Sequence, residues 1–257
     1  MNNILTIFRK ESAGLFNSPI AYVVLGMFLV GTGMFMWVFE FGFLFTDPNV
    51  FVTGFANLDN LFGSGPLLFL LLIPALTMRA FSDEFRSGTI EFLATKPLTD
   101  WQIITGKYLA VLLLVGLCLL VSMVNYAAVH ALSTPEGCFF CASDVDHGAT
   151  WGAYLGLFGV GAIFAAIGMF TSALTSNQII AFVLGAALCA FFYLALELMA
   201  GIKVLNDINT FLLSFSILSH YDSIARGVID TRDVLYFLSF VVIGLLGTRM
   251  ALAGQKR

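Results

Sequence analysis

Four stretches of this chain, residues 20–39, 61–78, 108–131 and 151–174, contain no Asp, Glu, Lys or Arg. Each is close to the ~20 residues that a helix needs to cross a hydrocarbon core of ~30 Å. Inside that core the backbone must satisfy itself, which leaves helices and closed barrels. Uninterrupted apolar runs, rather than alternating ones, select the helix. Two further stretches, 179–200 and 234–253, carry one ionisable group each, Glu197 and Arg249, both near an end. The chain therefore reads as all-α, a polytopic membrane protein of six transmembrane helices. Only 11% of its residues are charged, against about 25% in soluble domains. A net charge of −4 gives no footprint for nucleic acid. A bundle of this size makes one domain, residues 1–257.

With both termini on the inner side, that side collects Arg9, Lys10, Arg79, Arg86, Lys96, Lys107, Arg249, Lys256 and Arg257, and the outer side only Lys203, Arg226 and Arg232. The positive-inside rule thus predicts cytoplasmic termini. The first span is too long for a signal-peptide core and lacks a following small-residue cleavage site, so it is expected to remain in the mature protein. Before it, residues 3–16 place Ile4, Leu5, Phe8, Leu15 and Phe16 at helical spacing, with Arg9, Lys10 and Glu11 on the other face. That pattern predicts an interfacial helix within residues 1–18.

Residues 79–107 form a charged island, RAFSDEFRSGTIEFLATKPLTDWQIITGK, between the second and third spans. Ser82 is expected to cap a short helix that stops at Gly88, with Asp83 and Glu84 at its positive end. Thr89 is expected to cap a second helix ended by Pro97. Residues 99–102, TDWQ, fit a capping box that opens the third span. Phe81, Phe85, Ile90, Phe92 and Leu93 supply apolar faces. A folded, charged segment in so apolar a chain is expected to dock a soluble partner. At the other end, residues 201–233 are long and only partly apolar. Their core, 211–218, is too short to cross, which suits an external or re-entrant element.

Several residues invite chemistry. Thr105-Gly106-Lys107 resembles the end of a phosphate-binding loop, but Trp101 replaces its first Gly and Tyr108 its metal-binding hydroxyl, so ATP hydrolysis by this chain is not expected. Cys138 and Cys141 form a C-x-x-C on the predicted outer side. A structural disulfide is the first reading, with free thiols, or a metal or redox site with His147, as alternatives. Glu197, the one acid inside a span, lies roughly 27 Å above residue 179 at ~1.5 Å per residue, near the outer headgroups. Hydrogen bonding there is favoured over ion coupling. His130 and Asn125 read as isolated. Pro66 and Pro74 lie in the second span, where proline frees carbonyls and bends the axis. Gly152 and Gly156 read as helix packing.

The sequence Glu84-x-x-x-Gly88-Thr89-Ile90-Glu91-x-Leu93-x-x-x-Pro97, leading into Gln102-Ile103-Ile104-x-Gly106-Lys107, resembles the coupling block of ABC-2-type transporter permeases. FRKESAGLFNSPIAYVV, LIPALTMRAFSDE, TKPLTDWQI and SNQIIAFVL are similar to the gliding-motility-associated permease subunits of Bacteroidetes. The resemblance implies a permease of the bacterial inner membrane, paired with a second, related permease as a heterodimer. A separate ABC ATPase would bind the ATP, leaving this chain without a cofactor or metal of its own. That ATPase would contact Phe81, Ser82, Asp83, Glu84, Phe85, Arg86, Gly88, Thr89, Glu91 and Leu93. Competing readings are a lipid, polysaccharide or drug exporter, a membrane redox or metal enzyme, and a non-transporting anchor of a motility or secretion machine.

Overall fold

The computed structural model describes residues 3–38, 58–88, 99–133, 146–202, 209–228 and 230–255. The described residues form helices α1 (Asn3–Asn17), α2 (Pro19–Trp37), α3 (Asp59–Thr77), α4 (Ser82–Arg86), α5 (Asp100–Ser133) and α6 (His147–Leu174), without a strand. There follow α7 (Gln178–Ala200), which contains a π-helical turn at Phe191–Ala195, then α8 (Asn209–Phe215), α9 (Ile217–Ala225) and α10 (Thr231–Gln255). Six of these helices, α2, α3, α5, α6, α7 and α10, are long and apolar enough to cross a membrane. The protein is a multi-pass membrane protein.

The centre of the bundle is α6, which packs on α3, α5, α7, α9 and α10. Within its most apolar stretch 72% is interior, against 11% for α10 at the periphery. Lipid tails are as apolar as leucine, so helices associate in a membrane through close packing and interhelical hydrogen bonds. Glycine supplies the first. A Cβ on Gly161 would stand 2.6 Å from Val115, and one on Gly152 only 2.7 Å from the carbonyl of Ile224. Tyrosine supplies the second. Tyr108 donates to the Ala162 carbonyl at 3.1 Å and Tyr154 to the Ser122 carbonyl at 3.3 Å. A stacked pair, Phe28 on Phe69 with centroids 4.4 Å apart, joins α2 to α3.

Pro66 explains a third such bond. Its ring has no N–H for the carbonyl four residues earlier. That carbonyl, on Phe62, accepts from the Tyr221 hydroxyl of α9 at 2.9 Å. The orphan left by proline is thereby the anchor of a helix from a distant part of the chain.

Three expectations change. Ser82 is not the cap of α4: its hydroxyl donates back to the Met78 carbonyl, closing the turn that ends α3. Glu11 is not on the solvent face of α1. Ile7, Glu11 and Leu15 are spaced by four and share one seam, all partly buried, and α1 packs against α5 along it. His130 is not isolated. Its ring lies 6.1 Å from Tyr126 and 5.7 Å from His147, whose Nδ1 is 2.8 Å from the Tyr126 hydroxyl. As expected, the helix that opens at Asp100 runs on as the third span, so the Trp101–Lys107 stretch is its first two turns. The capping box is visible in part, with the Thr99 amide donating to Gln102 Oε1 at 3.3 Å. Gly88 ends α4 as expected, at φ +68°, a left-handed conformation that glycine adopts without a Cβ penalty.

Candidate functional site

Helix α4 has five residues and too few hydrogen bonds of its own to stand alone. Its position comes from four other helices. Ser172 of α6 reaches into the break between α3 and α4. Its Oγ accepts the amides of Phe81 at 3.0 Å and Ser82 at 3.2 Å, and donates to the Met78 carbonyl at 2.9 Å. One hydroxyl therefore satisfies donors at the start of α4 and an acceptor at the end of α3, the backbone groups that helix termini leave open. Gln178, at the start of α7, donates from Nε2 to Asp83 Oδ1. The remaining two helices, α5 and α1, reach α4 through Lys107.

Lys107 is 5% exposed. Its Nζ lies 2.8 Å from Glu84 Oε1 of α4 and 3.2 Å from Glu11 Oε1 of α1. The ring of Phe81, itself fully buried, stands 5.4 Å away and offers its face to the ammonium. Burying a lysine costs several kcal/mol unless opposite charge and hydrogen bonds compensate. Here two carboxylates from separate helices do so, and neither helix can move without exposing the cation to an unbalanced field. Beside this node, Gly106 lets α1 approach α5: a Cβ there would stand 2.7 Å from Ile7 Cγ2.

These contacts sort the residues expected to meet a partner. Phe81 and Ser82 face the interior, and Asp83 and Glu84 are engaged inside the chain. Phe85 is half-buried, while Arg86, Ser87 and Gly88 are exposed. Thr89, Glu91 and Leu93 lie outside the described residues, as do Cys138 and Cys141. Sequence reasoning missed Glu11, Lys107, Ser172 and Gln178. One signal was available: Lys107 is the last charge before a long charge-free span, and Glu11 shares a helical phase with Ile7 and Leu15. Ser172 and Gln178 gave none, because each is an ordinary polar residue at a helix end.

Glu197 stands at the opposite end of the bundle. Its Oε2 accepts from Ser216 Oγ at 3.0 Å, and it lines an open cavity of about 720 Å³ between α3, α7 and α9. Tyr193, at the π-helical turn, and Tyr221 form part of its wall, with Asp222 and Arg226 at α9. Burial and the neighbouring Glu197 raise the Asp222 carboxyl above its ordinary range, and Arg226 partly offsets them. On the other side of α9, His220 Nδ1 is 2.7 Å from Asp233 Oδ1 and its ring stacks on Tyr236 with centroids 4.0 Å apart.

A search of curated proteins found no match to the chain. The profile of the ABC-2 family transporter proteins matches residues 13–252, which includes five of the six membrane-length helices, all but the last three residues of the sixth, and the α4 knuckle. The chain belongs to the ABC-2 transporter family and is a membrane transport component.

Proposed function

We propose that this chain is the permease subunit of an ATP-driven ABC-2-type transporter, and that α4 is the handle through which a separate ATPase moves it. The observation that carries the reading is the Lys107 node. A five-residue helix at the end of the bundle is fastened to α1, α5, α6 and α7 by buried polar contacts, so a push on α4 displaces four helices together. An idle connection would not need a buried lysine. The exposed rim for contact is Arg86, Ser87 and Gly88, with Phe85 as the apolar anchor of a helix-in-groove contact; Thr89, Glu91 and Leu93, which follow in sequence, are expected to add to that contact.

The α4 end is the cytoplasmic one by the balance of basic residues, nine to three. Both termini would then lie in the cytoplasm of a bacterial cell, with the chain in its inner membrane. Half a transporter cannot enclose a pathway alone, so the chain pairs with a second permease. The resemblance to gliding-motility permeases favours a related but different chain, hence a heterodimer, and a motility-associated role. ATP binds to the ATPase partner.

The test is a pull-down of the tagged chain from native membranes, with ATP turnover measured in the eluate. The wild-type eluate is expected to hydrolyse ATP. Arg86→Glu reverses the rim charge, and Gly88→Pro forbids the left-handed φ; both are expected to insert normally and lose the co-purifying activity. An inactive wild-type eluate, or turnover retained with both variants, refutes the proposal.

A further inference from the structure

We infer that the cavity between α3, α7 and α9 is a binding site for a primary ammonium group carried on an apolar body, with the ammonium held by Tyr193, Glu197 and Asp222. The cavity measures about 720 Å³, within the ~300–1,000 Å³ typical of small-molecule sites.

Tyr193 carries the inference. It is 2% exposed, and its ring stands edge-on to Phe164 with centroids 6.0 Å apart. Buried hydroxyls are normally hydrogen-bonded. Tyr221, the other tyrosine of the wall, follows that rule through the Phe62 carbonyl. The Tyr193 hydroxyl has no such partner among the described residues and is not sealed off, so it opens into the cavity that the residue lines. The π-helical turn Phe191–Ala195 is centred on this residue. Such turns are rare and occur frequently at functional sites.

The charge selects a cation. Among the described residues, the cavity wall carries Asp59, Glu197 and Asp222 against Arg226. Asp222 accepts no hydrogen bond and makes no close ion pair among the described residues, and Arg226 acts on it only through its field. Glu197 gives one carboxylate oxygen to Ser216 and keeps the other. Both carboxylates act electrostatically on the Tyr193 hydroxyl, so the three groups share one neighbourhood. An anion there would be repelled, and a neutral ligand would leave the carboxylates uncompensated. A primary ammonium offers three N–H donors to match three acceptors, and the tyrosine rings favour a cation at their faces.

The walls select an organic body over a bare metal ion. No group of three His, Cys, Asp or Glu side chains able to hold a metal occurs among the described residues. Phe62, Leu67, Leu194, Leu213 and Leu218 supply the apolar lining, which suits an alkyl or aryl part. The site lies at the end of the bundle away from α4 and does not depend on ATPase docking, so the pull-down and the experiment below fail independently.

The full chain, purified in mild detergent, is dialysed to equilibrium against radiolabelled phenethylamine, with protein-free micelles as the baseline. Saturable binding of one amine per chain is expected, undiminished by excess phenylethanol or phenylpropionate, which keep the aryl body and lack the ammonium. Glu197→Gln and Asp222→Asn are each expected to weaken binding roughly tenfold, and the near-isosteric Tyr193→Phe roughly fivefold. Short-chain phosphatidylethanolamine that displaces the amine, where short-chain phosphatidylcholine does not, assigns the site to a lipid headgroup; displacement by neither assigns it to a soluble amine. Displacement by both lipids, by phenylethanol or by calcium ions overturns the site. So does an absence of saturable binding, or binding indifferent to both Tyr193→Phe and Glu197→Gln.

Discussion

The two ends of this bundle handle buried charge in opposite ways. At the α4 end one lysine is held by two carboxylates from different helices, and the cation is the shared element. At the α9 end the carboxylates have separate and weaker partners: a serine hydroxyl for Glu197, an imidazole for Asp233, and for Asp222 Arg226, which partly offsets burial and Glu197. The first arrangement is rigid, because removing any member strands a charge. In the second, Glu197 and Asp222 line a cavity, and burial and the neighbouring Glu197 raise the Asp222 carboxyl above its ordinary range. The comparison separates an end where charges are shared between helices from an end where carboxylates stand around a cavity.

Lys107→Met gives the largest effect. Stranding Glu11 and Glu84 is expected to cost about 3–5 kcal/mol, read as a lowered unfolding temperature in detergent. Lys107→Met combined with Glu11→Gln and Glu84→Gln is expected to recover most of that stability while leaving ATP turnover uncoupled from transport. If the triple variant couples normally, the node is packing alone. Next is Ser172→Ala, which opens two amides and one carbonyl at the α3–α4 break and is expected to cost about 1–3 kcal/mol. Faster proteolysis after Arg86 would report it.

At the α9 end, Tyr221→Phe is expected to cost about 1 kcal/mol by removing the donor to the Phe62 carbonyl. Pro66→Ala restores an N–H to that carbonyl, so Tyr221→Phe should cost less in a Pro66→Ala background. Equal costs in the two backgrounds would show that the carbonyl does not need its partner. The smallest effect is pH-dependent. The Asp222 carboxyl is raised in the folded state, so the folded chain holds a proton that the unfolded chain releases. Its contribution to stability is therefore present below the ordinary aspartate range and is lost as pH rises through the elevated value. Asp222→Asn is expected to flatten the dependence of unfolding temperature on mildly acidic pH, whereas Arg86→Gln, at the other end, leaves it unchanged.

The spans were legible because an apolar run without charge, continued for the length of a bilayer crossing, is at home only where water is excluded. The caps at Gly88 and Gln102 were legible because they are local: a left-handed residue and a side chain three positions away. Ser82 misled for the same reason. A serine before two acids has the form of a cap, but the nearby Met78 carbonyl competed for its hydroxyl and a serine ninety residues away took the amides. The false phosphate-loop signal around Lys107 and the true role of that lysine show the same limit. Its partners are ninety-six and twenty-three residues away, and no spacing rule reaches so far.

By itself the sequence determined the helical class, the number of crossings and the charged knuckle between two of them, because hydrocarbon excludes water and each span must meet its own backbone needs. Only the tertiary structure decided which charges pair. Lys107 finds Glu11 and Glu84 because α1, α4 and α5 converge there, and Tyr221 finds Phe62 because Pro66 left that carbonyl unbound. Pairing of this kind depends on where separate helices come to rest, a property of the packed bundle that no single stretch of chain contains.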